Sequence, residues 1–136
     1  KIASFAVEDF VLPLGGPDPD PDNAVNGVQV RAALFQTLPA LEGQGLTMAV
    51  FNVEACAANP PHIHPRAAEV SINLKSSCAV ANNMEFTARS PKMGDVTLFP
   101  QGLVHYQQNL GCSPATFVAA LNSEDPGTSM ITTNLF

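Results

Sequence analysis

At 136 residues and 14.3 kDa the chain has the length of one domain with a single sizeable core. Hydrophobic residues make up 46% against 13% charged, which excludes a disordered chain. The net charge of -6, with only Lys1, Arg31, Arg66, Lys75, Arg89 and Lys92 scattered as basic residues, excludes a phosphate backbone as partner. Apolar runs such as FVAAL at 117–121 fall far short of the ~20 residues that cross a bilayer, so no membrane span is expected.

The chain begins at Lys1 without a methionine, which fits either a processed N-terminus, with a signal peptide already removed, or a trimmed one. IASFAVEDFVLPL reads as an N-terminal strand or arm. GGPDPDPDNAVNG, residues 15–27, reads as loop, because proline removes backbone donors and Asp, Asn and Gly favour turns. Its carboxylates lack the EF-hand spacing, so it is a solvated loop before it is a calcium site. Beyond it come GVQVRAALFQTL, GLTMAVFNVEA, AEVSINLK, MEFTARS, DVTLFP, LVHYQQNL and ATFVAALN, short apolar segments divided by Gly, Pro, Asn or Ser. That rhythm predicts an all-β sandwich or barrel of antiparallel strands. In LTMAVFNVE, Met48, Val50 and Asn52 alternate with Thr47, Ala49, Phe51 and Val53; both sides are mostly apolar, which predicts a central strand.

Two of the three histidines stand in NPPHIHPRAAEV. In extended chain, residues i and i+2 share a face, so His62 and His64 aim at one point, and a turn at PRAA returns Glu69 beside them. The third, His105, follows the turn Pro100-Gln101-Gly102. Three imidazoles and a carboxylate suit a divalent first-row ion that keeps open positions for water, oxygen or substrate. A lone His-x-His is more often a surface pair beside prolines, and a lone buried histidine a hydrogen-bonded core residue; the second segment tips the balance towards a metal.

The two segments resemble the paired motifs of the cupins, G-x5-H-x-H-x4-E-x6-G and G-x5-P-x-G-x2-H-x3-N. Gly94, Pro100, Gly102, His105 and Asn109 fill the second; His62, His64 and Glu69 fill the first, with Cys56 and Ser76 standing where its two glycines are expected. NPPHIHPRAAE and FPQGLVHYQQNLG are similar to the germin branch, and NLGCSPATFVAALNSEDPG to the spherulin-like relatives. The resemblance covers residues 44–128 and implies one cupin domain over 1–136, a jelly-roll β-barrel, with 1–27 as arm and Asp/Pro-rich loop.

It further implies an extracellular protein binding manganese through His62, His64, Glu69 and His105; iron, copper, nickel or zinc suit the same donors. Germin activities include oxalate oxidation and superoxide dismutation, while other members are non-enzymatic structural, storage or matrix proteins, and both readings stay open. Of two asparagines that hold oxalate in such germins, one falls on Asn59 and the other on Ala49, which disfavours oxalate against superoxide. A small-anion or small-molecule ligand is expected, and a homo-oligomer. The plant hexamer is not carried over, since ITTNLF ends the sequence without the C-terminal helices that lock it.

Jelly-roll topology also pairs the strand before His62 with the strand through His105. With those histidines opposite, Cys56 falls opposite residue 111, and a Cys56–Cys112 disulfide is expected, contributing roughly 4 kcal/mol. Cys78 is then left over, buried or linking two chains; three free thiols are the alternative. Phe99, Val104 and Phe117 are expected in the core, Asn109 in a structural hydrogen bond, and Arg66 beside an acidic neighbour or in solvent.

Overall fold

The computed structural model describes residues 6–14, 25–75, 78–82 and 91–131. Its strands are β1 (Val28–Ala33), β2 (Thr47–Val53), β3 (Ala58–Ile63), β4 (Glu69–Lys75), β5 (Cys78–Asn82), β6 (Val96–Phe99), β7 (His105–Asn109), β8 (Ala115–Leu121) and β9 (Ser129–Met130). All pairings are antiparallel, in one sheet of order β1-β2-β8-β4-β6 and a second of order β5-β7-β3-β9. The all-β jelly-roll expectation is met. The Asp/Pro loop over 15–24, Ser76, the MEFTARS segment and the side chain of Cys78 lie outside the described residues.

Of the N-terminal stretch, residues 6–14 are described, and they form no strand but one 3₁₀ turn at Val7–Phe10. β2 is central, flanked by β1 and β8. Its inward residues Thr47, Ala49 and Val53 are buried, and Phe51 stacks on Phe117 of β8 with ring centroids 4.4 Å apart. Val28, Val53, Ala115 and Phe117 form the apolar plug of that end of the sandwich. Phe99 is buried as expected, whereas Val104 is only half-buried.

The outward face of the same sheet is also apolar. Register sets Met48, Ala120, Val70 and Leu98 in one row across four strands, and Val50, Val118, Ile72 and Val96 in the next. Val96 and Leu98 remain 64% and 58% exposed. A polar row borders them, in which Asn52 donates to Gln29 Oε1 at 3.2 Å and Thr116 donates to Asn52 Oδ1 at 3.0 Å.

β3 contains Pro60 and Pro61, which have no N–H for the ladder, and its pairing with β7 slips there: Asn59 faces Gln107, then His62 faces His105. This bulge lets Asn59 and His62, three residues apart, both be buried. It also shifts the expected register by one, to Ala58 opposite Gln108.

The expected Cys56–Cys112 disulfide is not formed; both thiols are free and exposed. Both lie beyond the last ladder pair, Ala58–Gln108, in loops whose spacing the strand register does not set. Cys56 has φ 63°, the left-handed conformation for which the missing motif glycine is suited. Asn109 supplies the bracing instead. Its Nδ2 lies 3.0, 3.0 and 2.8 Å from the carbonyls of Val53, Glu54 and Ser113, its Oδ1 accepts from Gly111 N–H at 2.9 Å, and its own N–H donates to Ala57 O at 2.9 Å.

Candidate metal centre

Four side chains converge between the sheets. β3 carries His62 and the chain just past it His64; the turn at Pro65-Arg66 returns the chain as β4, which opens with Glu69; β7 opens with His105. β6 and β7 belong to different sheets, so the turn through Gly102, at φ 73°, carries the chain across the barrel and sets His105 opposite Glu69. All four residues are buried, and one donor atom from each lies within 4.8 Å of the others. An ion about 2.2 Å from each donor needs donor separations of about 3 to 4.4 Å, so donors within 4.8 Å of one another reach that size with shifts of a few tenths of an ångström.

The three rings share one arrangement. Nδ1 of His62 donates to Pro60 O at 2.7 Å, Nδ1 of His64 to Gly127 O at 2.7 Å, and Nδ1 of His105 to Leu103 O at 2.9 Å. A carbonyl can only accept, so Nδ1 carries the proton and Nε2 is turned inward in each case. His64 Nε2 lies 2.9 Å and His105 Nε2 3.4 Å from the same atom, Glu69 Oε2. The longer contact is an electrostatic approach rather than a formed hydrogen bond, and it leaves buried His105 Nε2 without a hydrogen-bond partner. A buried ring nitrogen in that condition, facing a carboxylate, is a ligand position. The residues therefore fit a divalent ion.

The electrostatics agree. Burial, reinforced by the neighbouring His105, lowers His62 to about 4, so it is neutral at pH 7 and has a lone pair to offer. Burial pushes Glu69 upward, but the close approach of His105 and the hydrogen bond from His64 more than offset it and bring it down to about 2. Burial also opposes charge on His64, yet its bonds to Glu69 and to Gly127 O prevail and raise it. The metal-free protein thus favours a proton between His64 and Glu69, in the space a cation would take.

The surrounding shell is less visible in the sequence. Gln107, buried on β7, donates through Nε2 to Glu69 Oε1 at 3.3 Å and accepts from Asn59 Nδ2 at 2.7 Å. Asn59, read from the family as a substrate-holding amide, thus has a protein partner. Gln107 went unread, although its position two residues after His105 sets it on the same strand face. Arg66 does find its acid: it donates to Asp125 Oδ1 at 2.7 Å and to Asp125 O at 2.8 Å, while its N–H donates to Pro126 O at 3.1 Å. Gly127 holds φ 65°, a conformation that side chains rarely adopt, so glycine is favoured where the loop presents its carbonyl to His64. On the other flank, Gln101 donates to Pro65 O at 2.8 Å and Gly102 N–H to His64 O at 3.1 Å. Phe99 stacks on His105 with centroids 4.1 Å apart.

Comparison with known proteins agrees with this geometry. The model of the cupin family matches residues 14–136. A germin-like protein, 1-3, of Oryza sativa subsp. japonica is 44% identical over 118 residues, covering 84% of this chain and 52% of that protein. Spherulin-1A of Physarum polycephalum is 38% identical over 114 residues, covering 81% of this chain and 46% of its own length. The chain thus spans about half the length of these relatives. Among solved structures, a recombinant oxalate oxidase in complex with glycolate superposes with a TM-score of 0.87 at 27% identity, over 98% of this chain and 68% of that one.

Proposed function

Because this chain belongs to the cupin family, we propose that it is an extracellular germin-like metalloprotein in which His62, His64, Glu69 and His105 hold one divalent ion, manganese ahead of iron, copper, nickel or zinc. The observation that carries the proposal is the shared orientation of three imidazoles, each fixed through Nδ1 by a carbonyl so that three Nε2 atoms meet one carboxylate. Manganese, iron or copper held there would supply a one-electron couple and exchangeable coordination positions, whereas zinc would supply only the latter. The chain's own part is to neutralise it with one carboxylate, to hold three rings against rotation, and to keep the site buried.

Superoxide is the favoured substrate over oxalate. Oxalate recognition needs paired amides; Ala49 offers none, and Asn59 is engaged by Gln107. A small anion handled mainly at the ion loses less from that deficit. A second reading, a non-enzymatic structural or matrix cupin, draws support from the bond between His64 and Gly127, which lets an ion tie a distant loop to the barrel.

A homo-oligomer belongs to the same proposal. The two outward apolar rows, extended through Met48 to the groove lined by Phe10, Val11, Leu41 and Leu46, leave exposed apolar surface of the kind that an interface buries. We assign this face to a second copy of the chain.

The deciding experiment measures metal atoms per chain in the natively sourced protein and in His105→Ala, followed by superoxide and oxalate assays. Near one manganese per chain, absent in the variant, with superoxide consumption that vanishes alongside it, is expected. A loaded protein inert towards both substrates would establish the structural reading, and a protein holding no metal would overturn the metal centre.

A further inference from the structure

Glu69 has two oxygens in different surroundings. Oε2 faces His64 and His105 at 2.9 and 3.4 Å, and Oε1 accepts from Gln107 Nε2 at 3.3 Å. A carboxylate held ionised can only accept, so Gln107 must turn its NH₂ towards Glu69 and its oxygen away. That oxygen meets Asn59, which must in turn present its own NH₂, and does so at 2.7 Å. The direction of every bond in the row Asn59–Gln107–Glu69 is therefore set by the carboxylate at its end. The flip that would reverse Gln107 sets oxygen against oxygen at one end and NH₂ against NH₂ at the other.

The row is buried throughout, with Asn59 at 8%, Gln107 at 1% and Glu69 at 1% exposure, and it crosses from β3 through β7 to β4. It exists because the proline bulge brings Asn59 inward on the same side as His62. Asn59 and Gln107 are directly paired across β3 and β7, so the backbone ladder fixes their separation.

We infer that Asn59 and Gln107 form a positioning relay that fixes the plane of the Glu69 carboxylate, so that Oε2 alone faces the place where a metal would be held. This rests on the metal-centre reading above. Without the relay the carboxylate could rotate and offer both oxygens to a bound ion. Asn59 is then a residue that acts on the ion through Gln107 and Glu69, with one N–H of its amide committed to that task.

The test uses Mn(II) itself with no anion added. Mn(II) affinity by competition and the electron paramagnetic resonance spectrum of the loaded protein are compared for wild type, Gln107→Leu and Asn59→Ala. Gln107→Leu should weaken binding by about ten- to a hundred-fold and alter the zero-field splitting as the carboxylate rotates. Asn59→Ala should move both readouts in the same direction by less. Gln107→Glu, which places a carboxylate against Glu69 Oε1, should also change the spectrum and serves where the leucine variant fails to fold. A loaded wild type whose affinity and spectrum all these substitutions leave unchanged overturns the relay alone, even where thermal stability falls. A wild type that takes up no Mn(II) overturns the metal centre, and the relay with it.

Discussion

The interior of the sandwich holds two buried polar clusters, and they are built on opposite terms. Around Asn109 one amide is engaged with backbone partners at both its nitrogen and its oxygen. Around Glu69 the bonds run inward to a centre that the side chains do not complete: three rings are anchored from behind, and His105 Nε2 is left without a hydrogen-bond partner. Burying a polar atom without a partner costs about 1 to 3 kcal/mol, so such a position persists only where something else is served. The closed cluster is masonry and the open one is a receptor.

Exchanging damage between the two clusters is the strongest way to break this comparison. Asn109→Ala strips partners from several carbonyls and from the Gly111 N–H, and should cost about 3 kcal/mol or more in urea unfolding, with stoichiometric metal loading retained in the folded fraction. His105→Ala should do the reverse, abolishing loading while shifting metal-free stability far less. Equal effects on both readouts from both variants would dissolve the distinction.

Acid separates the clusters next. Glu69 is held below its usual 4.5, at about 2, so its contribution to metal-free stability is present above pH 4.5 and lost as pH falls towards 2. His62 is held below its usual 6.5, at about 4, so its contribution is present above pH 6.5 and lost between there and pH 4. His64 is raised, so its contribution runs the other way: it is full below pH 6.5 and lost as pH rises through its folded value. The thermal midpoint of the metal-free protein should therefore fall by several degrees from pH 6.5 to pH 4. The bonds of Asn109 are to backbone groups that do not titrate, so Asn109→Ala should lower the whole pH–midpoint curve without changing its shape. A midpoint flat across that interval would contradict the assignment of His62 as neutral and buried.

The smallest effect is expected beside the closed cluster. Cys56 holds φ 63° where the family motif has glycine, a conformation that costs a side chain about 1 to 2 kcal/mol. Part of that returns as chain entropy in the unfolded state, so Cys56→Gly should raise stability by at most about 1 kcal/mol in thermal melts. Metal loading should not move.

How much of this the sequence disclosed follows from how each feature is encoded. His62, His64, Glu69, His105 and Asn109 sit at motif spacings, and the turns between them are marked by glycine and proline, so the ligand set and its β scaffold were legible. Gln107 was hidden because glutamine marks no chemistry by type and only the alternation along β7 points inward. The disulfide was misjudged because the strand alignment was extended into loops it does not govern, and because Asn109 already braces them. The bulge at Pro60-Pro61 was the least visible feature, since it overrides the two-residue period from which strand faces are read.

One contact carries a consequence for time rather than affinity. The carbonyl that fixes His64 belongs to Gly127, 63 positions along the chain, in the loop that leads into β9. β9 is two residues long and pairs with β3 at His62 and Ile63. A two-residue strand held by so few ladder pairs opens readily. An ion held here would leave when that strand lifts, and its residence time would measure the opening of that pairing.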